Sequence, residues 1–237
     1  MADGLRALEP DIVLLQEAFA CPSTGDDTAV FLGEALGLHV TQFTGRQKLR
    51  QYLGLLRESS SNLALLTREP VMHSCAVRLV PCDGDEHRIM QVADVTAFGL
   101  PIRLCNAHFT HIQGPQGDKA RIAQAAQLAK ASEPPCRGLA IFGGDLNATP
   151  DQAAIQRIAG ATGLVSPEVC DVSNTFRGGT ADETMQRQIL DYLFLRKGIS
   201  APSVKFSRLY QALDAPIGSH LLFPSDHAAV VADLTVS

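Results

Sequence analysis

Tryptophan is absent from the chain, and its six cysteines (Cys21, Cys75, Cys82, Cys105, Cys136 and Cys170) never fall at a C-x-x-C spacing. The first absence decides nothing. The second argues against a zinc cluster and against thioredoxin-like redox chemistry. Scattered cysteines in a chain of 237 residues fit reduced thiols, so a cytoplasmic location is expected. No basic run marks a nucleic-acid tail, because charges of both signs are mixed along the chain and sum to −5. That balance disfavours a non-specific DNA coat protein and leaves room for a local basic groove. No apolar run approaches membrane-spanning length, and Met1-Ala2-Asp3-Gly4-Leu5-Arg6 has no signal-peptide pattern. Repeats, low-complexity tracts and linkers are missing too, so residues 1–237 read as one domain. Hydrophobic residues make up 46% of it, enough for a sizeable core.

What is present is a series of short apolar runs separated by turn signals. Ala2 to Leu8 is weakly helical and stops before Pro10. Ile12 to Leu15 reads as a strand buried on both faces, ending on Gln16-Glu17. Taken alone, Glu17 reads as a solvated acid beginning a loop. Asp26 to Leu36 predicts an amphipathic helix and His39 to Phe43 a strand. Arg46 to Ser61 is polar and basic-tinged. It suits a solvated loop better than a loop near an anionic ligand. Further strands are predicted at 62–67, 72–80, 88–98 and 102–107, the last pair joined by Gly99-Leu100-Pro101. The 102–107 strand runs into Asn106-Ala107-His108-Phe109-Thr110-His111, where two histidines and an amide cluster. Asp118 to Lys130 and Pro150 to Ala159 predict helices. Residues 166–188 are irregular and polar; Asn174 to Gly179 within them fits a substrate-side loop or a plain surface loop. Ile189 to Leu195 predicts a strand with Asp191 inside it, a charge that is costly to bury unless paired. Residues 200–213 form a strand with a connector. Pro224-Ser225-Asp226-His227 then precedes a last strand, 228–236.

The chain is organised around Leu139 to Pro150. A buried strand, Leu139 to Phe142, reaches Gly143-Gly144, where the backbone can bend or pass close to another segment. Asp145 and Asn147 follow two residues apart, so an extended backbone would point both the same way. Thr149 would cap the next helix, with Pro150 first in it and Gln152 as capping-box partner. Helices interspersed among strands with short connections indicate an α/β (α+β) fold with mainly antiparallel pairs.

Strand-terminal clusters thus recur at Gln16-Glu17, Asn106/His108, Asp145/Asn147, Asp191 and Asp226-His227. They offer acids, amides and histidines. Hard oxygen ligands favour Mg²⁺ or Mn²⁺ over zinc. A cation on a carboxylate, an acid to orient water, and amide or imidazole donors suit attack on a phosphodiester. At this level the chain resembles the endonuclease/exonuclease/phosphatase superfamily. That family's Q-E looks like Gln16-Glu17, its T-H-L like Ala107-His108-Phe109, its G-D-x-N like Gly144-Asp145-Leu146-Asn147, its D-Y-x-F like Asp191 to Phe194, and its S-D-H like Ser225-Asp226-His227. The five fall in family order across residues 11 to 236.

The resemblance implies a four-layer α/β/β/α sandwich of two mixed, mainly antiparallel sheets. It implies Glu17 as main metal ligand for Mg²⁺ (or Mn²⁺), with Asp226 supporting the metal and water network. Asp145 would orient or deprotonate the attacking water, and Asn147 would bind the scissile phosphate. His227, held by Asp191, and His108 would serve the phosphate. The expected protein is a monomeric, metal-dependent phosphoester hydrolase, with no transmembrane segment and with nucleic acid, nucleotide, lipid or sugar phosphate as substrate. The family also begins with an Asn-bearing strand upstream of Q-E, which has no counterpart here, since only ten residues precede Asp11. That departure keeps a second reading open: a non-catalytic binding or scaffold protein with a degraded site.

Overall fold

The apolar runs form strands stacked as two sheet layers, with the helices outside. The computed structural model describes residues 1–176, 188–213 and 225–236. Helix α1 (Ala2–Leu8) stops at Glu9, which turns left-handed ahead of Pro10. Strand β1 (Ile12–Cys21) and the short β2 (Asp26–Asp27) lead into α2 (Thr28–Leu36). The Asp27 carboxylate accepts from the backbone N–H groups of Ala29 and Val30, which fixes the start of α2. Then follow β3 (His39–Tyr52), β4 (Leu55–Thr67), β5 (His73–Arg78), β6 (Ile89–Ala97), β7 (Leu100–His108), α3 (Gly114–Ala131), β8 (Leu139–Asp145) and α4 (Ala153–Ala159). Short β9 (Leu164–Val165) and β10 (Val169–Asp171) precede β11 (Asp191–Lys197), β12 (Val204–Ala212) and β13 (Ala229–Val236).

One sheet has six strands in the order β5-β6-β7-β8-β11-β9, antiparallel throughout except for the parallel β7–β8 pair. The facing layer comprises an antiparallel group, β2-β1-β4-β3, and a mixed group, β10-β12-β13. Three buried clusters define the layers. Leu65, Val95, Ile102, Leu104, Leu139, Leu195 and Phe206 meet between the sheets. Phe142, Phe109, Leu128, Ile155 and Ile158 pack α3 and α4 onto the outer face of the six-stranded sheet. Leu5, Leu32, Leu38, Ala64 and Leu66 pack α1 and α2 onto β1 and β4. The arrangement is the expected α/β/β/α sandwich.

Several local expectations change. The segment from Arg46 to Ser61 is no loop but a ribbon, paired from Arg46↔Ser61 to Tyr52↔Leu55. Its polar residues carry no apolar alternation, and its turn, Leu53-Gly54, lacks the usual Asn-Gly signal. β1 does not stop at Glu17. A bulge lies between Leu15 and Ala18, Glu17 sits in it at φ 52°, and the strand continues to Cys21. The helix expected from Pro150 begins at Ala153. Half of the capping box exists, because Gln152 Oε1 accepts from Thr149 N at 2.8 Å, but it closes a turn ahead of the helix. The helix expected from Asp118 starts a turn earlier, with Pro115 in its first turn. Asp191 is the first residue of β11 rather than an interior one. Part of the Asn174 to Gly179 stretch (residues 177–179) and Pro224 lie outside the described residues.

Gly144 earns its place by close approach. At φ 125°, a Cβ there would collide with the Ala107 carbonyl and stand 3.1 Å from Gln16 Nε2 of the opposite sheet. Gly54, at the hairpin turn with φ 75°, has nothing within 4 Å of that position. We therefore expect Gly144→Ala to cost at least about 3 kcal/mol and Gly54→Ala about 1 kcal/mol. Urea unfolding of both variants checks this; equal costs would show that backbone conformation alone, and not the close approach, sets the Gly144 requirement.

Candidate active site

Three neighbouring strands bring their polar ends to one level. His108 ends β7, Asp145 ends β8 and Asp191 begins β11. The registers set His108 beside Asp145 and Asp145 directly opposite Asp191. His227 arrives just before β13 and is held through Phe176: the two bridge antiparallel, with ring centroids 4.9 Å apart. Thr175 is fully buried, and its hydroxyl accepts from the N–H groups of Leu190 and Asp191, so the start of β11 is tied to this same segment. Ala228 N donates to the Thr175 carbonyl at 2.7 Å and anchors the chain beside His227.

The polar contacts converge on two acids. His227 Nδ1 lies 2.8 Å from Asp191 Oδ2, and its Nε2 lies 4.0 Å from Asp145 Oδ2. His108 Nε2 approaches the same Asp145 oxygen at 3.3 Å. The other oxygen, Asp145 Oδ1, accepts from Asn147 N at 2.9 Å. Burial, and next the charge of Asp191, push the Asp145 carboxyl up to about 7, against the pull of His227 and the Asn147 amide. Burial would lower His227, but the hydrogen bond and charge of Asp191, with Asp145 and Asp226 behind it, raise it to about 9. His108 goes the other way: burial first, and then the Arg88 charge, hold it well below its ordinary value. The site therefore pairs one cationic imidazole with one neutral imidazole around a buried acid that titrates late.

Asn147 does not take the extended geometry expected of it. Asn147 is left-handed at φ 47°, so its side chain does not run parallel to Asp145. Its amide donates to the Phe109 carbonyl at 3.1 Å, within a turn closed on Asp145. Asp226 is exposed and accepts from Ser225 Oγ at 3.3 Å. It reaches the site through its charge on His227.

Glu17 is exposed on a cleft that it lines with Arg46, Asn62, Asp85, Arg88 and His108. His108 thus belongs both to this cleft and to the Asp145 contacts. Among the described residues, no three His, Cys, Asp or Glu side chains converge to enclose a metal ion. The donor set nonetheless fits a hard cation that keeps most of its water, as Mg²⁺ does. The Glu17 carboxylate is available, and Asn62 Oδ1 is buried with no hydrogen-bond partner among the described residues.

Sequence reasoning placed Gln16 and Asn106 in strand-end clusters but did not find that they aim Glu17. Asn106 is fully buried between the sheets. Its Nδ2 donates to the Leu15 and Ala64 carbonyls at 2.8 and 3.0 Å, and its Oδ1 accepts from Gln16 Nε2 at 2.7 Å. One side chain of β7 therefore pins the β1 bulge. An amide inside an apolar strand was the signal that could have found it. Arg88 carried no such signal; it donates to Asp85 Oδ2 at 2.7 Å, and Thr110 donates to that oxygen too.

The chain belongs to the Endonuclease/Exonuclease/phosphatase family, whose model matches residues 1–227. Solved structures agree on the fold. An endonuclease/exonuclease/phosphatase from Beutenbergia cavernae is 20% identical with a TM-score of 0.72; the match covers 99% of this chain and 65% of that one, so this chain spans about two thirds of its length. TDP2 of D. rerio, solved with a single-strand DNA product, is 20% identical with a TM-score of 0.70, over 99% of this chain and 91% of that one. Sphingomyelinase C of Streptomyces griseocarneus is 19% identical with a TM-score of 0.68, over 98% and 91%. No curated protein matches the sequence.

Both raised groups tie stability to pH. His227 contributes fully below its unfolded value of about 6.5, and that contribution is lost as pH rises through about 9. Asp145 favours the folded state when protonated, so its contribution declines as pH climbs from about 4 towards 7. In the metal-free protein, NMR titration of His227 should give a midpoint well above 6.5, and Asp191→Asn should lower it by at least about one unit. A midpoint unmoved by Asp191→Asn would assign the shift to Asp145 or Asp226.

Proposed function

We propose that the protein is a divalent-metal-dependent hydrolase of phosphoester bonds, a phosphodiesterase, nuclease or phosphatase, with water attacking phosphorus. One observation supports this reading above the others: a buried acid, Asp145, lies opposite a second acid and within 4.0 Å of two imidazoles in different charge states. A carboxyl that titrates near neutrality is well matched to taking a proton from water. In this reading Asp145 orients and deprotonates the water. His227, kept cationic and in one tautomer by Asp191, faces the negative charge that grows on the phosphoryl oxygens. Neutral His108 can donate a hydrogen bond from the Glu17 side. Asn147 shapes the Asp145 turn and offers its amide to the phosphate once the Phe109 contact opens.

Glu17 would hold Mg²⁺ (or Mn²⁺), with Asn62 Oδ1 beside it and Asp226 adding negative charge from the His227 side. The bound cation would supply positive charge to offset the phosphoryl oxygens. What this chain contributes there is aim: the Asn106 and Gln16 amides fix the bulge that presents Glu17. The related TDP2 and sphingomyelinase C structures, one holding a DNA product and the other named for a lipid substrate, support phosphoesters as the substrate class. The six free cysteines favour a cytoplasmic setting. No helix among the described residues is long and apolar enough to cross a membrane. A monomer working as one domain completes the proposal.

The parent protein should hydrolyse bis(p-nitrophenyl) phosphate with Mg²⁺ and not in EDTA. Asp145→Ala should fold and lose about two to four orders of magnitude in rate. A folded Asp145→Ala within tenfold of the parent would remove Asp145 from its role. Calorimetric Mg²⁺ titration should show binding weakened at least about tenfold in Glu17→Gln; unchanged affinity would move the ion to another carboxylate.

A further inference from the structure

The β3–β4 hairpin carries an apolar end that the proposed chemistry does not use. Leu49, Leu53, Leu55 and Leu56 are 64%, 68%, 58% and 67% exposed, and all fall within eight residues. Leu53 occupies a left-handed turn position (φ 50°), where Asn or Gly is the usual choice, so an apolar side chain stands there against local preference. Four exposed leucines gathered at one turn mark an interaction site in a way that scattered ones do not.

Charge on the same ribbon points to the partner. Strand alternation and the register put Arg46, Lys48, Arg50 and Arg57 on one face, with Arg50 directly opposite Arg57. Arg50 donates to the Ser59 and Ser61 hydroxyls, and Arg57 reaches Ser23 and the Tyr52 carbonyl, which stiffens the ribbon. Arg46 lines the Glu17 cleft, so this basic face leads from the apolar turn to the site. Glu58 is the single acid between Arg46 and Ser61, in a chain whose net charge is −5. The Tyr52↔Leu55 pair closes the turn, but β3 is a sheet edge and β1 pairs β4 only as far as Ser60, so the leucine side chains enter the apolar layer while the ribbon's outer backbone edges stay at the wet headgroup level.

We propose that the β3–β4 hairpin docks on an anionic phospholipid surface, with the four leucines at the headgroup–acyl boundary and Arg46 and Lys48 against lipid phosphates. Apolar side chains beside cations on one short element are the physical requirement for such docking. On the hydrolase reading given above, docking brings the Glu17 cleft to lipid-headgroup phosphoesters, which names the substrate class for this site. The docking itself does not depend on that reading.

The test separates the two. The full chain is sedimented with phosphatidylcholine vesicles containing 30% phosphatidylserine and with phosphatidylcholine alone (vesicle compositions chosen to vary surface charge). Binding to the anionic vesicles is expected, reduced by salt, and weakened at least about tenfold by the Leu53→Ser/Leu56→Ser double variant. That variant should keep the parent's melting temperature and its hydrolysis of bis(p-nitrophenyl) phosphate. Lys48→Gln should weaken vesicle binding more at low salt than at high salt. No sedimentation of the parent, or equal sedimentation of the double variant, overturns the proposal. A parent dimer that the double variant dissolves, without vesicle binding, would assign the leucines to a second copy and overturn it too. Vesicle binding by a protein that fails to hydrolyse the soluble ester would keep the docking and refute the hydrolase.

Discussion

Two carboxylates placed directly opposite each other, Asp145 on β8 and Asp191 on β11, are the constraint that the site is built around. Like charges at that range in a buried setting cannot both ionise freely. The His227 ring, 2.8 Å from Asp191 and 4.0 Å from Asp145, answers that conflict. Asp191 keeps the imidazole charged up to about 9, and burial beside Asp191 pushes the Asp145 carboxyl up to about 7. The surrounding structure serves this arrangement. Thr175 fixes the start of β11, Phe176 fixes His227, and the Asn147 turn fixes one oxygen of Asp145. Removing His227 or Asp191 alone takes away the charge that faces the other, which costs more than the pair contributes.

A second constraint joins the sheets. Asn106 reaches across the sandwich to the backbone of β1 and β4 and to Gln16, and it holds the bulge on which Glu17 stands. Gly144 makes room for that crossing, since any side chain there would meet Ala107 and Gln16. Glu17 on one sheet, and on the other His108, which lines the same cleft and contacts Asp145, are therefore positioned by one buried amide and one missing Cβ. Such a device sets the gap between two rigid layers with no loop involved, which is how a site keeps its geometry.

Much of this was legible in the sequence because the relevant signals are local. Gly143-Gly144 before Asp145 and Asp226-His227 ahead of the last strand announce strand ends with chemistry on them, and Asp191 stands out as an acid inside the apolar run Ile189–Leu195. The order of those motifs gave the fold. What the sequence hid depends on tertiary placement. The β1 bulge is invisible because Gln16-Glu17 ends an apolar run whether or not the strand continues. The Arg46–Ser61 ribbon has no apolar period because Arg46, Lys48, Arg50, Arg57 and Leu55 share one face while Leu49, Leu56 and polar residues make up the other, so it reads as a loop. The left-handed turn at Asn147 redirects a side chain that simple alternation would aim alongside Asp145. The role of Asn106 appears only once β7 and β1 face each other across the core.

The most direct test of the central claim is a double-mutant cycle on kcat/KM with Asp191→Asn, His227→Ala and the pair together, each variant first shown to be folded. If the acid acts only through the imidazole, the double variant should be little worse than the worse single one, a coupling of at least about 1 kcal/mol. Fully additive losses would contradict the account, because Asp191 and His227 would then be serving separate steps.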